Sequence, residues 1–204
     1  MKRSSLFSAV LLAAALPGPA QAADPRFPDW PCVQAKVPEI SLVAVWSGPP
    51  LDRAMDTWDD DPEIKSLVAR LAARRTPLSE AEDAIRTFIT GTPEQRQDRA
   101  TRLFAGLFVT LNRERTEVMN GIERFTRRQR TFAEGIREET QRLRELQDAA
   151  DADPAKVADL GARLEWDTRM FEERRKTTNY VCEVPVIIDK RLFALGRAIQ
   201  QALE

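Results

Sequence analysis

This chain of 204 residues contains no histidine. That absence removes the commonest general base, the commonest zinc ligand and the usual pH-sensitive side chain together. A hydrolase would have to rest on a carboxylate pair or a Ser–Lys arrangement, and neither occurs at a convincing spacing. Basic charge is not in excess either: 31 Lys and Arg stand against 32 Asp and Glu. No global positive field is available to attract nucleic acid. Glycine is scarce, with 8 residues, while charged residues make up 31%. Such usage favours long solvated helices over sheets. After the N-terminal leader no segment reaches the roughly 20 apolar residues that a membrane-spanning helix needs.

What is present begins with an export signal. Lys2 and Arg3 precede an apolar stretch from Leu6 to Leu16, broken by Pro17, Gly18 and Pro19. Ala20-Gln21-Ala22 supplies the small-x-small pattern cut by a signal peptidase. Residues 1–22 are therefore expected to be removed after Ala22, leaving a periplasmic or secreted protein. The Ala- and Arg-rich usage favours a bacterial periplasm. In such a compartment Cys32 and Cys182, the only two cysteines, are expected to form one structural disulfide.

The remainder reads in three parts. Residues 23–61 form a Pro/Trp-rich irregular segment, interrupted by Pro25, Pro28, Pro31, Pro38, Pro49 and Pro50. Only Glu39 to Trp46 is a coherent apolar run, a short helix or an extended strip. Trp30, Trp46 and Trp58 are expected to be aromatic anchors that fasten this segment to a helical surface. The Asp59-Asp60-Asp61 run lacks the spaced ligands and glycine of a calcium loop and reads as helix-capping charge.

Residues 62–91 are expected to form two short helices. Pro62 opens the first after Asp61, with Ile64, Leu67, Val68 and Leu71 at helical spacing. Ser79 to Glu82 reads as a capping box for the second, which ends at Gly91.

Residues 92–204 carry the strongest pattern. Thr92 and Pro93 mark a helix start, and no proline follows until Pro154. Apolar positions then alternate in steps of four and three, from Phe104 through Phe108, Leu111, Val118, Ile122, Phe125, Phe132 and Ile136 to Leu143 and Leu146. After a break at residues 151–153, a second seam runs from Val157 through Leu164, Phe171, Val181, Ile188 and Leu195 to Ala202. Two heptad helices (92–151 and 154–204) joined by so short a turn must fold back as antiparallel neighbours. Pro185 is expected to kink or interrupt the return helix. The fold class is thus all-α: a long coiled-coil-like two-helix hairpin, with short helices and the Pro/Trp-rich segment packed at its base.

Folding about Ala152 pairs positions whose numbers sum to about 304. Arg115, Gln129 and Glu139 interrupt the first seam, and Asp167, Arg174 and Thr178 the second. Polar seam positions usually fix register, and they also suit an interface completed by a partner helix or a second copy. Gln129 falls at the level of a basic belt formed by Arg127, Arg128, Arg130, Arg174 and Arg175, the candidate partner-binding residues. A charge run on a long helix is most often a solvated face. Here it could also meet phosphate or an acidic exported partner.

These features point to an exported, non-enzymatic interaction, scaffold or adaptor module with no cofactor and no metal. Its expected partner is another exported or membrane-associated protein, and self-association is a further option. The alternative is a carrier of small apolar ligands or lipid, or a periplasmic chaperone-like protein. In that reading Phe104, Phe108, Phe125, Phe132 and Phe171 would line an apolar slot.

Overall fold

A computed structural model describes residues 24–204. The export signal expected at residues 1–22 lies outside the described residues. The elements run α1 (Leu42–Val45), α2 (Asp52–Thr57), a 3-10 turn (Trp58–Asp60), α3 (Pro62–Ala72), α4 (Leu78–Phe88), α5 (Pro93–Asp148) and α6 (Pro154–Gln201). No strand occurs among the described residues. The protein is all-α, and its two long helices pack against each other as an antiparallel hairpin. At 1.5 Å per residue α5 is about 84 Å long.

Local chemistry accounts for the starts of α3, α5 and α6. Asp61 caps α3, its carboxylate accepting from the Glu63 N–H at 2.8 Å, with Pro62 in the first turn. Gly91 takes a left-handed turn at φ 109°, which lets the chain reverse into α5. Thr92 then closes a reciprocal capping box with Gln95, the backbone and side chain of each bonding to the other. Asp153 caps α6 by accepting from the Ala155 N–H at 3.0 Å.

Two local expectations are corrected. The capping box expected at Ser79 does not form, because α4 begins earlier, at Leu78, after Pro77. The Ala81 N–H already bonds the Pro77 carbonyl, which places Ser79 inside the first turn. Of the two outcomes expected at Pro185, interruption does not occur, since α6 runs unbroken through it. Cys182, Pro185 and Ile188 are all buried there, so packing on both sides holds the helix across the missing donor. The run from Glu39 to Trp46 resolves as the single helical turn α1.

The core sits at the base of the hairpin. Phe104, Leu107, Leu111, Ile188, Leu192, Leu195 and Ile199 from the two long helices are fully buried with Ile64, Val68, Leu71 and Ile85 from α3 and α4. Each such side chain contributes about 1.5–3 kcal/mol through burial. Trp46 stacks on Phe104 with ring centroids 4.2 Å apart. Gly106 and Gly196 permit close approach: a Cβ on Gly106 would lie 2.6 Å from Trp58, and one on Gly196 would lie 2.8 Å from the Val45 carbonyl. Toward the tip this packing stops. No residue from 123 to 181 is buried; the seam positions there are only half-covered.

Candidate functional site

The distinctive region is the level at which the N-terminal segment is fastened to the hairpin and the free arms begin. Cys32 and Cys182 are joined in a disulfide with an S–S distance of 2.01 Å and Cα atoms 5.5 Å apart. Trp30 packs on Met119 and Ile122 and donates its indole N–H to the Gln34 carbonyl at 2.8 Å. The Gln34 amide in turn donates to the Cys182 carbonyl. Lys36 pairs with Glu123 at 2.6 Å and stands over the Phe27 ring at 4.7 Å.

The seam register follows the expected fold-back about Ala152. Phe132 meets Phe171, with centroids 6.4 Å apart, and Arg115 meets Asp189. Arg115 Nε lies 2.7 Å from Asp189 Oδ1 as an ion pair not aligned for a hydrogen bond. Its Nη1 donates to the Val37 carbonyl at 2.6 Å, tying the N-terminal segment into the same contact. Burial pushes the Asp189 carboxyl above its ordinary value, against the opposing pull of Arg115.

The candidate belt divides into residues engaged within the chain and residues presented to solvent. Arg127 donates to Asp29 at 2.8 Å, and Arg130 donates to the same carboxylate and to the Pro28 carbonyl. Those hydrogen bonds, led by Arg127, hold the Asp29 carboxyl below its usual range. Arg175 bridges to Glu172, and Arg174 lies over the Phe132 ring at 5.2 Å. Arg128 is exposed at the rim of a groove, and Gln129 is half-buried in the seam. The segment carrying Asp29 is far away in sequence, so its use of two belt arginines has no local signal.

Of the expected anchors, Trp30 and Trp46 are buried and Trp58 is half-buried against Gly106. Arg191 has no signal in the sequence pattern. It is buried with no carboxylate partner, and donates to the carbonyls of Leu71 (2.8 and 2.6 Å) and Thr76 (3.0 Å). It thus satisfies the C-terminal end of α3, where the helix dipole favours a cation.

Two hollows adjoin this level. A groove of about 440 Å³ between α5 and α6 is lined by Val118, Ile122, Phe125, Arg128, Val181 and Val184, among others. A second hollow of about 380 Å³ lies beneath the N-terminal segment, with Trp30, Ile40, Met119 and Pro185 around the Arg115–Asp189 pair. The five phenylalanines of the carrier reading do not surround one space. Phe104 and Phe108 belong to the base, Phe125 lines the groove, and Phe132 with Phe171 sits farther out. Among the described residues no three His, Cys, Asp or Glu side chains come together as a metal site would require, and no helix is long and apolar enough to cross a membrane. No protein-family model matches the chain, and neither does any curated protein or solved structure.

Proposed function

We propose that this is an exported, non-enzymatic interaction or adaptor protein whose hairpin engages another exported or membrane-associated protein. The carrying observation is that residues 123–181 keep a heptad pattern through two long arms yet bury none of their side chains. A coiled-coil pair gains stability from covered seam positions. A pair that leaves them half-covered suits a surface completed by a further helix. The disulfide, the Asp29 clamp and the packed base hold the root of the arms, as a presenting scaffold requires.

In the full chain, a photo-crosslinking residue at Arg128 should give a discrete adduct with a different protein inside producing cells. The same residue at Arg86, exposed on α4 at the base, should not. Adducts confined to the base position would overturn the reading.

A further inference from the structure

Besides the seam, α6 carries a second heptad stripe on its flank. Trp166, Met170, Glu173, Thr177, Tyr180, Val184 and Ile187 recur in steps of four and three, about a third of a turn from the seam. Five of the seven are apolar or aromatic. Trp166 is 58% exposed, Tyr180 74% and Ile187 45%. Aromatic side chains are enriched at interaction surfaces, and Trp166 and Tyr180 stand on one solvated face of α6.

Charge along the arms is sorted by level. Between Thr131 and Glu172, eleven acidic side chains stand against six basic ones. In residues 122–130 and 173–176, seven basic stand against two acidic. An acidic outer half thus adjoins a basic inner level on one rod. Even with Asp29 counted, the inner level stays basic.

The stripe has a matching order of ion pairs. Arg163 bonds Asp159 at 2.8 Å, and Lys176 bonds Glu173 at 2.7 Å. These pairs flank Trp166 and Met170 on the same face of α6. If a second α6 is laid antiparallel so that position numbers sum to 336, Arg163 meets Glu173 of the other copy and Asp159 comes beside its Lys176. Trp166 then lies over Met170 of the other copy, a favourable sulfur–aromatic contact. The arrangement repeats every contact through a two-fold axis, as an isologous dimer requires. A parallel arrangement would instead set Arg163 on Arg163 and one acidic tip on the other.

We propose that the chain forms an antiparallel homodimer through this flank of α6, with the acidic outer half of each hairpin lying against the basic inner level of its mate. The overlap from residue 152 to residue 184 spans about 50 Å of helix. The partner named is a second copy, and the proposal rests on reading the hairpin as an interaction module. The groove beside Phe125 shares Thr177 and Val184 with this flank, so the mate borders its α6 rim and leaves the α5 rim at Phe125 and Arg128 to a different protein.

The test is the mass of the oxidised mature protein by light scattering and sedimentation over a range of concentrations. A dimer is expected whose dissociation constant rises with salt. R163E and E173R should each raise that constant at least tenfold, and the double variant R163E/E173R should restore it. W166A should weaken the dimer with unchanged helical circular dichroism. A monomer at every concentration up to about 1 mM overturns the proposal, as does a dimer indifferent to W166A or a double variant that fails to rescue. A monomer that still yields heteromeric adducts from Arg128 sinks the dimer alone. A rescued dimer without such adducts sinks the heteromeric reading instead.

Discussion

Arg115 on α5 reaches Asp189 on α6 across the seam, Nε to Oδ1 at 2.7 Å, while its other nitrogen holds the Val37 carbonyl of the N-terminal segment. One arginine thereby joins both long helices and the strap that crosses them. Its side chain is only 6% exposed, whereas that of Asp189 is 41% exposed. Removing the cation would leave the Val37 carbonyl without its donor and the buried carboxylate oxygen without its counter-charge. Arg115→Met should therefore destabilise the protein by about 2 kcal/mol in urea unfolding. The double change Arg115→Met, Asp189→Leu should lose less than the single one, because the orphaned carboxylate goes with it. Equal losses would mean that packing, and not the pair, sets the cost.

Two aspartates should respond to pH in opposite directions. Asp189 is held above its ordinary value by burial, so the folded chain keeps that proton more readily than the unfolded chain. Its favourable contribution is present below the unfolded pKa and fades as pH rises through the folded one. Asp29 is held below its ordinary value by Arg127 and Arg130. Its contribution is present above the unfolded pKa and is lost as pH falls through the folded one. Urea midpoints between about pH 2 and pH 7 should show D29N blunting the acid-side loss and D189N blunting the decline at rising pH.

The helical glycines should separate into two groups. A methyl group at Gly106 would press on Trp58 and Val68, and one at Gly196 on Val45 and Phe104. Gly106→Ala and Gly196→Ala should each cost about 1–3 kcal/mol through overpacking. Gly135 and Gly161 have open space where a Cβ would stand. Alanine there should stabilise by up to about 1 kcal/mol, because it narrows the unfolded ensemble and favours the helix. Thermal unfolding of the four single variants checks the division.

Stability should also fall along the length of the hairpin. Residues 107–118 border a core whose buried side chains come mainly from α3, α4, α5 and α6, whereas no residue from 141 to 160 is buried. Hydrogen exchange in monomeric protein, for example in R163E, should be faster for the outer stretch. Cys32→Ser with Cys182→Ser should speed exchange most in residues 30–40, which the bridge fastens locally. The bridge closes a loop of 150 residues and its removal is expected to cost about 2–5 kcal/mol.

Periodicity determined the long elements. Steps of four and three are a property of a helix with one covered stripe, so the two arms, their turn and their register about residue 152 could be read from residue types alone. The same holds for caps whose partners lie within three residues, such as Asp61, Thr92 and Asp153. Cys32 and Cys182 were assignable because they are the only two cysteines of the chain and its first residues read as an export signal. The tertiary structure decided whatever depends on distant chain. Ser79 lost its capping role because Pro77 started the helix first, and Pro185 stayed helical because buried neighbours held it. The belt arginines Arg127 and Arg130 were taken by Asp29, nearly a hundred residues away. Arg191 found carbonyls at the end of α3, a pairing between a side chain and a backbone that leaves no pattern in sequence. Local spacing encodes which face of a helix is apolar. Only the folded chain decides which charges remain unengaged, because ion pairs form by proximity in space and not along the chain.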